Sequence, residues 1–386
     1  MKWSSQMLDP LSLLNIFKEN KISFFSGVPD SLLKEFNQAL LHEIPEDDHL
    51  ITVNEGTAIS FGIGYHLATS KTPLIYMQNS GLGNAINPLT SLADPEVYSI
   101  PMLLLIGWRG EPGIKDEPQH IKQGRITPAL LECLEIPYKI LPKELGNANS
   151  VISNMIQIAN DENRPTALLV QKDTFKRYDI HPENTSAQNL LSREEAISVI
   201  LNHGQEDDIV IGTTGMASRE IYEFRKNNND STTDFLTVGG MGHASQIALA
   251  ISKFTKNKNV FCLDGDGALL MHLGGLATNA HEGPNNFHHI VLNNGTHDSV
   301  GGQPTLGNKV NFKNIAESVG FHTSFQASSL EEILICLNQM RESKHPSFLE
   351  IIIKPGYRTD LGRPSESPTE NKLALMRNIN PSESLN

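Results

Sequence analysis

The sequence predicts an α/β protein made of two similar doubly wound domains, each built on a parallel sheet. Three observations predict it. Short apolar runs alternate with stretches of helical periodicity, as strand and helix do in βαβ units. The runs are continuous rather than alternating, as strands are when helices cover both faces of their sheet. The order of elements also repeats: four apolar runs, with the polar or Gly-rich ends that follow them, recur in the same order about half a chain later. A length of 386 residues suits two domains, or three, at about 150 residues each.

In the first half, the segment Ile22–Leu33 reads ISFFSGVPDSLL and turns at Gly27. From Glu55, a helical pattern, a polar turn and an apolar strand lead to a Gly-rich loop at Gly81. IPMLLLIG ends at Gly107, and RPTALLVQK (Arg164–Lys172) is the last strand of this half. A polar stretch at 176–189, containing Pro182, reads as a linker between expected domains at 1–180 and 190–386. Ser192 with Glu195 then forms a capping-box pattern that opens a helix. In the second half, DIVIGTTGMAS turns at Gly212. The segment from Gly240 repeats helix, polar turn and strand, with a strand at Asn259–Leu263 and a Gly-rich loop at Gly265. A helical run is expected over Ala268–Ala280, followed by a strand at Phe287–Leu292 that ends at Asn294. HPSFLEIIIK (His345–Lys354) closes the repeat. Open α/β sheets bind ligands at the C-terminal ends of their strands. The expected rims are therefore Gly27, Gly81 and Gly107 in one half, and Gly212, Gly265 and Asn294 in the other.

Composition narrows the function. Hydrophobic residues are 39% of the chain and charged residues 19%, an ordinary globular balance. Lys plus Arg number 31 against 44 Asp plus Glu, a formal charge of −13. That balance argues against nucleic acid or an anionic membrane as the main partner, because both attract positive surface. Cys133, Cys262 and Cys336 are far apart and form no CxxC pair. Neither a disulfide framework nor a cysteine metal cluster is expected, and a reducing cytoplasm is the expected compartment. No apolar run approaches the ~20 residues that span a bilayer.

Chemistry concentrates at Asp264-Gly265-Asp266-Gly267 and at Asn293-Asn294-Gly295-Thr296, the ends of two consecutive strands. Gly265 and Gly267 let backbone approach a phosphate, and the helix that follows offers unpaired N–H groups to an anion. Asp266 and Asn294 supply a carboxylate and an amide oxygen. With a backbone carbonyl, two phosphate oxygens and a water, these hard donors complete an octahedral Mg²⁺ site.

A GDG followed at this spacing by NN resembles the metal-binding signature of the thiamine-diphosphate enzymes. The resemblance implies that Asp266, Asn294 and the Thr296 carbonyl hold Mg²⁺ and the cofactor's diphosphate, with Gly265 and Gly267 beside them. It implies the thiamine-diphosphate-binding fold, with a pyrimidine-binding domain at 1–180 and a diphosphate-binding domain at 190–386. The middle domain of the larger relatives has no counterpart here. Family enzymes also need a glutamate beside the cofactor's pyrimidine. Glu55 stands before a helix in the half whose counterpart of Asp266 is Leu82. Taken alone, Glu55 reads first as an acid at a helix N-terminus, favourable with the helix dipole; only the motif turns it into a site candidate. In Gly239-Gly240-Met241-Gly242, Met241 matches the apolar residue that props the cofactor in its bent form. Gly212-Thr213-Thr214 matches the contact made from the first strand of that domain.

Longer strings resemble the phosphonopyruvate decarboxylase family: SGVPDSLL (Ser26–Leu33), NEGTAI (Asn54–Ile59), the run Gln78–Thr127, GTTGMASRE, GGMGHASQIA, NNGTHDSVGGQPT (Asn293–Thr305) and GYRTDLGRP (Gly356–Pro364). The resemblance implies decarboxylation of phosphonopyruvate to phosphonoacetaldehyde and CO₂, in phosphonate biosynthesis. In the wider family the site is shared between subunits, so a homo-oligomer is expected. The substrate is a small anionic 2-oxo acid, and an acidic chain must set local cations against it. The loop Trp108–Arg125 carries Arg109, Lys115, His120, Lys122 and Arg125 beside Glu111, Asp116 and Glu117. Arginine suits phosphonate or carboxylate. Expected substrate contacts are Ser26, Asp30, Arg109, Lys115 and His120, with Arg358 and Arg363 as a second anion site. Proton transfer falls to Asp30 and His120, although Asp30 could instead cap a helix over Ser31–Leu40. His297, Asp298 and Gln303 are further candidates near substrate.

Alternatives are sulfopyruvate decarboxylase, often split into two short chains, and carboligation of a 2-oxo acid. A nicotinamide dehydrogenase is disfavoured: Gly62-Ile63-Gly64 begins a GxGxxG, but Leu67 takes its third Gly position, within a helical pattern. A non-catalytic binding protein would not need Glu55, Asp266 and Asn294 together.

Overall fold

A computed structural model of the chain describes residues 7–178 and 189–380 apart from Ser231, Thr233 and Lys256. The chain divides into two compact units, Met1–Glu183 and Asn184–Asn386. Most of the expected linker, 179–188, lies outside the described residues.

The first unit runs α1 (Pro10–Glu19), β1 (Phe25–Gly27), α2 (Lys34–Glu43), β2 (His49–Ile51), α3 (Glu55–Thr69), β3 (Leu74–Gln78), α4 (Leu82–Pro88), β4 (Met102–Gly107), α5 (Pro118–Cys133), β5 (Tyr138–Ile140), α6 (Leu145–Glu162) and β6 (Pro165–Val170). The sheet order is β2-β1-β3-β4-β6-β5, with every pair parallel. β4 shows why the strands read as continuous apolar runs. Leu103 and Leu105 enter one core cluster with Phe17, Phe25 and Phe36, while Met102, Leu104 and Ile106 enter another with Ile59 and Leu131. Successive side chains alternate faces, and both faces are dry. Each buried Leu or Ile contributes about 1.5–3 kcal/mol relative to exposure.

The second unit runs α7 (Arg193–Asn202), β7 (Ile209–Gly212), α8 (Met216–Asn227), β8 (Phe235–Leu236), α9 (Ala244–Phe254), β9 (Val260–Gly265), α10 (Asp266–Met271), α11 (Gly275–Glu282), β10 (Phe287–Asn293), β11 (Thr296–His297), β12 (Gln303–Pro304), α12 (Phe312–Ser318), β13 (Thr323–Ala327), α13 (Leu330–Glu342), β14 (Ser347–Ile352) and α14 (Pro368–Ile379). β11 and β12 form an antiparallel ribbon, and the main sheet is β13-β14-β10-β9-β7-β8, with every pair parallel. Read from β8, this sheet places its second, first, third, fourth, sixth and fifth strands side by side, the same order as the first unit. The four repeats seen in the sequence are the first, third, fourth and sixth strands of each sheet.

Local signals act as their chemistry dictates. The Asn54 side chain accepts the Thr57 N–H at 2.9 Å and starts α3. Ser192 and Glu195 form the reciprocal capping box of α7. Three expectations are corrected. The helix over 268–280 is two helices, because the backbone leaves helical geometry at His272 and Gly274-Gly275 follow. Part of the 108–125 loop is helix: α5 begins at Pro118, where the missing N–H costs no hydrogen bond. The helix after β1 begins at Lys34 with Leu33 as its N-cap, so Asp30 caps no helix. No helix of the described residues is long and apolar enough to cross a membrane.

Candidate active site

In the first unit, the C-terminal strand ends gather polar groups that the core excludes. Asp30 follows β1 and is fully buried. Its Oδ1 accepts from Gln78 Nε2 at 2.6 Å, and its Oδ2 accepts from the Leu32 N–H at 2.9 Å. β4 ends in glycine for a steric reason: a Cβ at Gly107 would stand 2.0 Å from Asp30 Oδ2. Burial pushes the Asp30 carboxyl up, against the Gln78 hydrogen bond and the Arg109 charge. Arg109 donates to Ser31 Oγ at 2.6 Å and from Nε to Asp116 Oδ2 at 2.8 Å. His120 sits in the first turn of α5, buried, and its Nδ1 has no partner among the described residues. Burial, then the Arg109 charge, lowers its pKa to about 4 against the pull of Asp116, so it is neutral at pH 7.

Glu55 is the first residue of α3 and is 5% exposed. Its Oε2 accepts from Asn84 Nδ2 at 2.8 Å. Residue 81 must be glycine here, because a Cβ would stand 2.4 Å from Glu55 Oε1. Burial raises the Glu55 pKa, opposed by the Asn84 hydrogen bond. Burial therefore raises both the Asp30 and the Glu55 carboxyl above the ordinary carboxylate range, against hydrogen bonds that favour the charged form.

In the second unit, β9 and β10 pair in register, which places their ends side by side. Asp266, 2% exposed, opens α10. Its Oδ2 accepts from the Thr305 hydroxyl, and its carboxylate also accepts backbone N–H groups of Gly267 and Asn294. Burial pushes its pKa up to about 6, against those hydrogen bonds. Asn294 Oδ1 accepts the Thr296 N–H at 3.1 Å, and its Nδ2 donates to Asp298 at 2.7 Å. Pro304 lies opposite Thr296 in the ribbon, and the Thr305 N–H donates to the Gly295 carbonyl at 2.9 Å beside them. Asp266, Asn294 and Thr296 are thus clustered by direct hydrogen bonds. Their carboxylate, amide and carbonyl oxygens are hard donors of the kind Mg²⁺ takes. At the end of β7, Thr213 is buried with an Oγ1 that has no partner among the described residues. Gly212, Thr214, Gly240, Met241 and Gly265 lie on β-strand ends or the loops after them, with Met241 half-buried, and Gly267 is in the first turn of α10. This donor set, with an orphaned hydroxyl on a neighbouring strand end, fits a metal-bound diphosphate.

Several sequence candidates have other engagements. The Ser26 hydroxyl is fully buried within β1 and donates to the Leu50 carbonyl at 3.0 Å, so it holds β2 rather than facing a ligand. Lys115 is exposed. Arg358 donates to Glu194 at 2.9 Å, to Asp360 at 3.0 Å and to Glu223, which commits it to carboxylates of its own chain rather than to an anion site. Both Asp298 oxygens hold other parts of the loop. Gln303 is fully buried, and neither amide atom has a partner among the described residues. Sequence reasoning did not single out Gln78, Asn84, Arg193 or Thr305. The first two lie in the run QNSGLGN, but only the fold aims Gln78 at Asp30 and Asn84 at Glu55.

Comparison with known proteins identifies both units. Residues 12–128 match the family described as thiamine pyrophosphate enzyme, N-terminal TPP binding domain. Residues 210–351 match its C-terminal TPP binding domain. A phosphonopyruvate decarboxylase of Streptomyces viridochromogenes is 32% identical over 363 residues, which cover 90% of this chain and 89% of that one. A sulfopyruvate decarboxylase of Methanosarcina acetivorans is 26% identical over 368 residues, 89% of this chain and 91% of that one. The sulfopyruvate decarboxylase subunit alpha of Methanocaldococcus jannaschii is 36% identical over 179 residues, 45% of this chain and 99% of that one. With two α/β units matching the two cofactor-binding domains and a near full-length relative above 30% identity, the chain belongs to the thiamine-diphosphate-dependent decarboxylases, carbon–carbon lyases of the family that contains the phosphonopyruvate decarboxylases.

Proposed function

We propose that this enzyme decarboxylates 3-phosphonopyruvate to phosphonoacetaldehyde and CO₂, using thiamine diphosphate and Mg²⁺, as a cytoplasmic step of phosphonate biosynthesis. The observation that carries the cofactor reading is the cluster of Asp266, Asn294 and Thr296 on adjacent strand ends. Asp266, the Asn294 amide oxygen and the Thr296 carbonyl would hold the metal. Thr213 and the Gly265–Gly267 turn would hold the diphosphate, with Met241 against the cofactor's rings and Glu55 on its pyrimidine. When bound, the thiazolium supplies the electron sink that lets a 2-oxo acid lose CO₂. Glu55, whose carboxyl burial raises above the ordinary carboxylate range, would hydrogen-bond a ring nitrogen. Asp30, also raised, is the proposed proton donor for product formation. Neutral His120 accepts or passes a proton. Arg109, held in place by Asp116, offers positive potential to an anionic substrate, and exposed Lys115 adds to it.

The named relatives support the phosphonate. The Streptomyces enzyme is a phosphonopyruvate decarboxylase at 32% identity, and the full-length sulfopyruvate decarboxylase stands at 26%. The latter makes sulfopyruvate the second reading. The half-length subunit alpha shows a relative built from separate chains, which supports self-association here. We propose a homo-oligomer in which Glu55 and Asp266 serve sites shared between subunits. A fully active monomer in sedimentation velocity would exclude that.

The deciding experiment measures CO₂ and aldehyde release from phosphonopyruvate, sulfopyruvate and pyruvate, with and without thiamine diphosphate and Mg²⁺. Cofactor-dependent turnover that strongly prefers phosphonopyruvate is the expected result. Preference for sulfopyruvate would move the assignment to the second reading. Cofactor binding without release from any of the three would point to carboligation.

A further inference from the structure

We propose that Asp298 is the positioning residue of the metal-binding loop, and that Arg193 holds it in place. This rests on the reading of Asn294 and Thr296 as metal ligands.

Asp298 Oδ2 accepts from Asn294 Nδ2 at 2.7 Å, and Oδ1 accepts from Thr296 Oγ1 at 2.8 Å. One carboxylate therefore binds side chains of two proposed ligands. A side-chain amide can meet a cation only through its oxygen. Rotating the Asn294 amide by half a turn would set its oxygen against the Asp298 carboxylate, two acceptors with no proton between them. Asp298, together with the Thr296 N–H on the amide oxygen at 3.1 Å, thus fixes which end of the amide is turned away from the carboxylate and toward the metal position. A supporting hydrogen bond of this kind orients a metal ligand from outside the coordination sphere.

Asp298 is 9% exposed and needs a countercharge. Arg193 Nη1 supplies it at 2.9 Å. The rest of that guanidinium is forked on Glu220, Nε to Oε2 at 2.9 Å and Nη2 to Oε1 at 3.1 Å. A guanidinium locked on one carboxylate presents its remaining N–H groups in a fixed direction. The Gly356 N–H also donates to both Asp298 oxygens, at 3.2 Å each. Asp298 therefore ties the loop to the opening residue of α7 and to the segment after β14. Its oxygens are occupied by these groups, which replaces the sequence expectation of a substrate contact.

The test titrates Mg²⁺ into protein saturated with thiamine diphosphate, by calorimetry, for wild type, Asp298→Asn, Asp298→Ala, Arg193→Lys and Asn294→Ala. Melting of each protein without cofactor is recorded separately. Mg²⁺ affinity should fall about 10-fold in Asp298→Asn and toward 100-fold in Asp298→Ala, with Arg193→Lys also weakened. Turnover lost in Asp298→Asn should return as Mg²⁺ is raised. If Asp298→Ala does not fold, the two conservative variants still decide. Unchanged Mg²⁺ affinity in those two, with or without a lower melting temperature, while Asn294→Ala loses affinity, overturns the proposal and leaves the ligand reading standing. Unchanged affinity in Asn294→Ala overturns the ligand reading, and the proposal falls with it.

Discussion

At the scale of single residues, two glycines act as negative space for acids. Gly81 leaves room for Glu55, and Gly107 leaves room for Asp30. Gly81→Ala would push the Glu55 carboxyl from its place without removing it. We expect its turnover to fall toward that of Glu55→Gln, for which a loss of 10²-fold or more is expected from a removed acid–base group. Both variants should keep most of the wild-type melting temperature, since neither touches the core clusters. Steady-state rates beside thermal melts check this pair, and wild-type turnover by Gly81→Ala would refute the steric argument. His120 gives a pH prediction. Its folded pKa is about 4, lowered from the ordinary 6.5 by burial and then by the Arg109 charge. The folded state binds fewer protons between those values, so the stability it contributes is complete above pH 6.5 and is lost as pH falls through 4. His49 and His297 are likewise lowered to about 4 by burial. Melting temperature should therefore fall steeply with acid in wild type, and less steeply in His120→Gln. Identical slopes in the two proteins would show that His120 is not a buried neutral imidazole.

At the scale of elements, some features were readable in the chain and others were not, for physical reasons. The eight strands that repeat between the halves are buried and largely apolar runs, and such a pattern survives any tertiary context that keeps both faces dry. The Ser192 cap was readable because a capping box is local chemistry completed within four residues. It also predicts an energy: Ser192→Ala removes an N-cap worth about 1 kcal/mol, which for a unit of this size lowers the melting temperature by about 2–4 °C. A calorimetric scan checks it, and no shift would mean the cap contributes nothing to the cooperative unit. The break after α10 was less readable, because His272-Leu273-Gly274-Gly275 keeps enough apolar spacing to pass as helix. The site split in the same way. Asp266 and Asn294 stood out because a Gly-rich turn and paired Asn residues mark strand ends, whereas Glu55 stood out only through the family resemblance that those two carried. Arg193 did not, since the first residue of a helix is usually a solvated position. Its partner Asp298 is 105 residues away, and only the sheet topology brings the two together.

At the scale of the whole molecule, the two units carry one strand order and separate cores. The clusters of the first unit are drawn from residues 8–175, and the cluster of the second from 196–353. Each sheet buries both of its own faces, so each unit holds the apolar area a domain needs to fold. The proposed chemistry is divided differently. Glu55, Asp30 and His120 lie in one unit, and Asp266, Asn294 and Thr296 in the other. Folding should therefore survive a cut that catalysis does not survive in either piece alone. Producing 1–183 and 184–386 as two polypeptides should give fragments that each melt cooperatively. Neither should release CO₂ from phosphonopyruvate by itself, and the mixture should regain turnover that depends on thiamine diphosphate. Restored activity rising with the concentration of the second fragment, in a titration of one against the other, would measure how tightly the halves associate. Activity in a single fragment would show that the residues assigned to the other half are dispensable, and would undo the division of labour argued from Glu55 and Asp266.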